Sequence, residues 1–278
     1  MNLKVETVKP AIGAIVHVDR ADILDKSLGP KCIELIERHG VVVFPRVGLS
    51  NEEQQAFTEN LGASVSFTTN APGGDKAGAG GYNITLDPKI NNEPEYVQGT
   101  FFWHLDGMPM ANIAPPKASV LSCRKKSPTG GQTQFASTFA AYDALSDEEK
   151  AEYEKLTVVH SLVAGVREVK DAAELQPHMR SRRAERPLVW TYPSGRKALL
   201  VGYTADEVVG MPRAEGRALL MRLLEWAAQP AFSYSHQWQE GDLVIWDNCG
   251  ALHRVIPYAK DSGRLMHRTS VAGIDQAA

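Results

Sequence analysis

The sequence predicts a mostly β protein with flanking helices and a jelly-roll core. Three observations carry that prediction. From Tyr96 onward, short β-type runs follow one another, separated by Gly, Pro, Asn and Asp. Helical inserts interrupt them, so strands must pair through long connections, which fits a jelly roll better than a meander. Before Tyr96 the chain alternates strand-like and helix-like pieces, as a flanking layer would.

Taken in order, IGAIVHV reads as a strand, Lys26 to His39 as an amphipathic helix, and VVVF at Val41 to Phe44 as a second strand. In SNEEQQAFTENLG, Ser50 and Glu53 have capping-box spacing, so a helix begins there. The β-type runs that follow are YVQGTFFWHLD, KASVLSCR, RKALLVGY, FSYSHQW, GDLVIWDN and LMHRTSVAG. Between them, FASTFAAYDALSDEEKAEYEKL reads as two short helices, the second capped by Ser146 and Glu149. RAEGRALLMRLLEWAAQ reads as one amphipathic helix burying Leu219, Leu220, Leu223 and Leu224. Two stretches fit neither pattern. Residues 68–82 are rich in Gly and small side chains, and residues 164–187 carry Arg167, Lys170, Arg180, Arg182, Arg183 and Arg186 with few apolar anchors. They read either as solvated loops or as lids over a pocket. The whole of residues 1–278 is expected to form a single domain.

Bulk properties narrow the function. The chain has 278 residues, 43% hydrophobic and 23% charged, which suits a globular protein with a packed core. Thirty basic against 33 acidic side chains give a net charge of -3, which disfavours nucleic acid and anionic membrane surfaces as partners. The N-terminus lacks a signal-peptide pattern, and no run of about 18 apolar residues occurs, so a cytoplasmic location is expected. Cys32, Cys123 and Cys249 are odd in number, far apart and without a CxxC pair. That argues against a disulfide framework and a thiolate zinc site, and leaves three small buried apolar residues.

The chemistry concentrates in two places. Trp103-His104-Leu105-Asp106 ends a β-type run, so His104 and Asp106 should project to one face and offer two corners of a metal site. GDLVIWDNCGALHR places a polar turn, Asp247-Asn248, after an apolar strand and then delivers His253. Two histidines and one carboxylate would leave open positions on Fe(II) for a chelating co-substrate and O2. Arg264 follows 11 residues beyond His253, and Arg268 comes 4 further on. A guanidinium is the forked partner of a carboxylate, and the even offset puts both arginines on one face of a strand.

These segments, WHLD, GGQTQFASTFAAYDALS, PLVWTYPSGRKALLVG, GDLVIWDNCGALHR and RLMHRTSVAG, together resemble the taurine dioxygenase and 2,4-dichlorophenoxyacetate dioxygenase (TauD/TfdA) family of 2-oxoglutarate-dependent oxygenases. The resemblance runs from about Ile12 to Gly273. It implies a double-stranded β-helix core of the cupin-like type, with Fe(II), 2-oxoglutarate and O2 as reaction partners. It implies that His104, Asp106 and His253 ligate iron, that Thr133 and Arg264 hold the distal carboxylate of 2-oxoglutarate, and that Arg268 lies near the substrate or co-substrate, where it is a candidate substrate-binding residue. Trp103, beside the first ligand, is a candidate substrate contact. The implied reaction hydroxylates, or oxidatively cleaves, a small organic molecule and releases succinate and CO2. The resemblance also implies a homo-oligomer, dimer or tetramer. A cupin-like metalloenzyme that ignores 2-oxoglutarate, or an inactive metabolite sensor of the same fold, are the competing readings.

The chain also departs from the family pattern. Cys249 stands where the family commonly has Arg after the Asp-Asn turn, and Val189-Trp190-Thr191-Tyr192 replaces VRTH. Trp190 and Tyr192 either pack or reshape the pocket. Arg268 and the basic residues 180–186 favour an anionic substrate, while Trp190, Tyr192, Phe101 and Phe102 favour an apolar body. No match to the family's sulfonate-binding residues precedes WHLD, which disfavours taurine.

Overall fold

The computed structural model describes residues 3–65, 81–91, 97–111, 113–175 and 177–273. A seven-stranded sheet runs in the order β1 (Lys4–Lys9), β2 (Ile12–His17), β3 (Val41–Phe44), β13 (Leu243–Asp247), β5 (Ala118–Lys125), β15 (Leu265–Val271) and β4 (Tyr82–Ile84). Its pairings are antiparallel except for β2 with β3. A second, three-stranded sheet has the order β12 (Ser233–His236), β6 (Thr133–Ser137), β14 (Ala251–Val255). Neighbours such as β3 and β13 are about 200 residues apart in the chain, the long connection expected of a jelly roll.

Strand alternation builds two cores at once. Val41, Val43, Val244 and Trp246 point between the sheets, where they meet Phe135 and Val255 of the smaller sheet. Val42, Phe44, Leu243 and Ile245 point the other way, against Cys32 and Ile36 of α1 (Leu28–His39) and Phe57 and Leu61 of α2 (Asn51–Leu61). A strand buried on both faces shows no polar alternation, which is why VVVF and LVIW are continuous apolar runs. The outer face of the smaller sheet is covered by α3 (Thr138–Asp143), α4 (Asp147–Tyr153) and the long helix α7 (Arg213–Ala227). Of the leucines expected on that helix, Leu220, Leu223 and Leu224 are buried and Leu219 is half-buried. Both predicted capping boxes are formed, Ser50 with Glu53 and Ser146 with Glu149. All three cysteines are buried and free, and no described helix is long and apolar enough to cross a membrane.

Two expectations need correction. The run before WHLD is not a strand: Val97 to Phe101 is helical, with Thr100 Oγ1 donating to Val97 O at 2.6 Å and Phe102 N to Gly99 O at 3.4 Å. Local turn bonds around Gly99 win there, as no described strand offers those groups a ladder partner. Residues 164–187 are not an unstructured loop either. They hold most of α5 (Leu162–Val166), a 3-10 turn (Ala172–Glu174), α6 (Pro177–Arg180) and β8 (Arg183–Pro187), which pairs with β7 (Thr157–Ser161). In β8, Arg183 and Glu185 face solvent while Ala184 faces in, the charged outer row that suits a sheet edge. The other segment, 68–82, lies outside the described residues except Gly81 and Tyr82.

Candidate metal and co-substrate site

His104 and His253 are joined by a two-way backbone bridge, each N–H donating to the other's carbonyl at 3.0 Å. The bridge ties the segment carrying His104 to β14, and the two imidazole rings stand 4.1 Å apart. With Asp106 they form the one group of three among the described residues whose ligand atoms all lie within 4.8 Å of one another. His104 Nδ1 lies 2.8 Å from Phe102 O, which sets the tautomer with Nδ1–H and leaves Nε2 free to bind a metal. Burial lowers the pKa of both histidines, that of His253 to about 3, so both are neutral as metal ligands must be.

Asp106 reaches the cluster by another route than strand alternation. It sits in a turn that Asn248 holds from across the sandwich: Asp106 N donates to Asn248 Oδ1 at 2.8 Å, and Asn248 Nδ2 donates to Asp106 O at 2.9 Å. Ser119 Oγ donates to its Oδ2 at 2.8 Å and Arg268 Nη1 to its Oδ1 at 2.9 Å. Burial opposes ionisation of this carboxyl, but Arg268 and the two imidazoles outweigh it and hold the group well below the usual carboxylate range. Asn248 is itself fixed by the preceding Asp247, which is buried, paired with Lys117 at 2.7 Å and bonded by the Tyr192 hydroxyl.

A second polar feature lies farther along the same sheets. Thr133 begins β6, and its Oγ1 accepts from Trp238 Nε1 at 3.0 Å, leaving the hydroxyl hydrogen to donate elsewhere. Arg264, just before β15, is 2% exposed, and neither of its terminal nitrogens has a hydrogen-bond acceptor. Its guanidinium faces the Tyr258 ring at 4.8 Å, and a Cβ on Gly131 would come within 3.0 Å of its side chain. A buried cation with unused donors costs several kcal/mol. A carboxylate, planar and forked, is the ligand that these donors fit.

The His104–Asp106 face opens on a pocket walled mainly by Thr100, Leu105, Met110, Val166 and Tyr203, with Arg268 and Arg182 as its cations. The segment 164–187 contributes Gly165, Val166 and Arg182 to that wall. Trp103 does not line it. Adjacent side chains of an extended segment point oppositely, so as His104 faces the cluster, the Trp103 ring packs against the core under Arg254, 4.7 Å away. The other expected aromatic walls also pack: Phe102 stacks on Tyr203 at 4.3 Å, Phe101 meets Tyr258 edge-on at 5.9 Å, and Trp190 and Tyr192 are core. Cys249 is buried beside them, where burial pushes its thiol well above the ordinary range. Arg186 has a task that the sequence did not suggest. It donates to the carbonyls of Met108 (3.3 Å), Met110 and Ile113 (2.9 Å), pinning the strip of chain that follows Asp106.

Comparison with known proteins identifies the family of the chain. The model of the "Taurine catabolism dioxygenase TauD, TfdA family" matches residues 4–270. The alpha-ketoglutarate-dependent 2,4-dichlorophenoxyacetate dioxygenase of Cupriavidus pinatubonensis is 33% identical, over 97% of this chain and 98% of its own. The (S)-phenoxypropionate/alpha-ketoglutarate-dioxygenase of Sphingobium herbicidovorans is 32% identical over 84% and 83% respectively. A crystal structure of AAD-2 in complex with Mn(II) and N-oxalylglycine superposes with a TM-score of 0.87 at 31% identity, covering 100% of this chain and 99% of that one. The chain therefore belongs to the TauD, TfdA family of dioxygenases.

Proposed function

We propose that His104, Asp106 and His253 hold the Fe(II) of a 2-oxoglutarate-dependent dioxygenase, and that Arg264 with Thr133 holds the far carboxylate of 2-oxoglutarate. The observation that carries the second half is the buried Arg264, whose terminal nitrogens lack acceptors. A cupin-like enzyme without 2-oxoglutarate would leave that cost without a purpose. The reaction takes substrate, 2-oxoglutarate and O2 to oxidised substrate, succinate and CO2. When bound, Fe(II) supplies the oxidative chemistry that couples these changes.

The protein's own residues orient and enclose. Asn248 and Ser119 fix Asp106, and the carbonyl of Phe102 fixes the His104 ring, so the donors are set before metal arrives. Leu162, Gly165, Val166 and Arg182, with the strip pinned by Arg186, wall the pocket, and we assign their segment the task of keeping water from the reacting centre. The whole chain then acts as one domain, with 164–187 as its lid. The substrate is a small organic molecule with an apolar body and an anionic group. Support comes from the apolar wall with its two arginines, and from relatives named for phenoxypropionate and 2,4-dichlorophenoxyacetate.

The test is succinate release from 2-oxoglutarate in the presence of a panel of aryloxy and alkyl carboxylates. Release that requires Fe(II) and is lost in His104→Ala, Asp106→Ala and His253→Ala is expected. Iron-loaded wild type that consumes no 2-oxoglutarate with any of them contradicts the reading.

A further inference from the structure

Thr133, the hydroxyl assigned to the far carboxylate, has one hydrogen to donate, and a free hydroxyl rotates to suit its surroundings. What limits that freedom here is a contact to its oxygen. Trp238 Nε1 lies 3.0 Å from Thr133 Oγ1, and among the described residues the hydroxyl has no other partner. An indole nitrogen only donates, so the threonine oxygen must accept there, and its own hydrogen turns to another acceptor. Both side chains are buried, Thr133 at 1% exposure and Trp238 at 6%, so bulk water does not compete for the contact.

The two partners are held independently. Thr133 opens β6 and is in register with His236 of β12 on one side and Val255 of β14 on the other. Its β-branched side chain is stiff at χ1, so a fixed backbone fixes the oxygen. The Trp238 indole stands edge-on to the His236 ring, with centroids 4.6 Å apart. That imidazole is tethered at both nitrogens, Nε2 3.1 Å from Asp242 Oδ2 and Nδ1 2.8 Å from the Tyr234 hydroxyl. Asp242 Oδ2 also accepts from the backbone N of Gln239, the residue after Trp238, at 2.8 Å. Trp238 and Arg264 line one cavity together with Gly131, which places indole, hydroxyl and guanidinium in one neighbourhood.

We infer that Trp238 is a positioning residue for 2-oxoglutarate: by donating to Thr133 Oγ1 it leaves the threonine hydroxyl set as a donor to the far carboxylate, and so sets the affinity for the co-substrate. A hydroxyl oriented in advance binds an anion without losing rotational freedom. One released from the indole also samples orientations that turn its lone pairs toward the carboxylate. Trp238 acts through Thr133, not on the reacting atoms. The assignment rests on the co-substrate reading above, in which Arg264 and Thr133 share the carboxylate.

The experiment measures binding without turnover. Mn(II)-loaded wild type, Trp238→Phe, Thr133→Val and the double variant are titrated calorimetrically with 2-oxoglutarate. Thr133→Val should weaken binding about tenfold, the scale of one lost hydrogen bond to a charged group, and Trp238→Phe about three- to tenfold. Because the indole acts through the hydroxyl, the double variant should bind no more weakly than Thr133→Val alone. Benzothienylalanine at position 238 keeps the bicyclic ring and exchanges only the N–H for sulfur. It should lose as much affinity as Trp238→Phe, and it carries the test if Trp238→Phe does not fold. The sulfur analogue binding as tightly as wild type, or two losses that simply multiply in the double variant, overturns the inference. Arg264→Met separates the two failures. If it binds far more weakly than wild type, only the role of Trp238 falls; if it binds as tightly, or if wild type binds no 2-oxoglutarate, the co-substrate reading falls with it.

Discussion

At the residue scale, His104 and Asp106 of the proposed ligand set are held by neighbours outside the cluster. Asn248 clamps both backbone groups of Asp106, so Asn248→Ala should weaken metal binding about 10- to 100-fold, as loss of such supports does elsewhere. A metal titration of stripped protein reads this directly, and an unchanged affinity would remove Asn248 from the account. Arg264 makes a sharper prediction. Because its two terminal nitrogens are buried without acceptors, Arg264→Met should leave the melting temperature of ligand-free protein equal or higher, yet abolish the rise that 2-oxoglutarate gives wild type. A large fall in the ligand-free melting temperature would mean the arginine stabilises the fold by itself. His104, Asp106, His253 and Arg264 could be proposed from the residues themselves, and Thr133 only through the family resemblance. The roles of Ser119, Asn248 and Arg186 were legible in neither way, since they arise only when distant strands come into register: Ser119 lies opposite Trp246, one step from the turn that carries Asn248.

At the element scale, the helices announced themselves through caps and the strands through apolar runs. The α2 capping box is formed as expected, and Ser50→Ala should cost about 1 kcal/mol, read as a lower midpoint in urea. The same urea series should show no change in the m-value, because the helix remains packed on the sheet. The stretch before His104 was misread because Phe101, Phe102 and Trp103 have high β propensity. Propensity of that kind depends on having a neighbour to pair with, and among the described residues this stretch has only the single β-bridge at His104. Residues 164–187 misled for the opposite reason. A charged edge strand and helices of only five and four residues leave no clear period in the sequence.

At the scale of the whole molecule, the sandwich also buries histidines outside the candidate metal cluster as neutral groups. Burial lowers His160 to about 3 and His267 to about 4, from an ordinary value of 6.5. Unfolding exposes both, so below 6.5 the unfolded chain binds more protons than the folded one and stability falls as the pH drops. The effect is absent above 6.5 and grows down to about 4. Chemical denaturation from pH 8 to pH 4 should show this slope, and His160→Gln should flatten it. An equal slope in the variant would place the acid sensitivity elsewhere.

The central claim is that one cluster binds Fe(II) and that Arg264 anchors the chelating 2-oxoglutarate beside it. The most direct measurement is the anaerobic visible spectrum of metal-free protein given Fe(II) and then 2-oxoglutarate, for wild type, His104→Ala and Arg264→Ala. The account predicts a weak charge-transfer band that needs both additions, is absent in His104→Ala, and needs far more 2-oxoglutarate in Arg264→Ala. A band of equal strength at equal 2-oxoglutarate in Arg264→Ala, or none in wild type with iron bound, would contradict it.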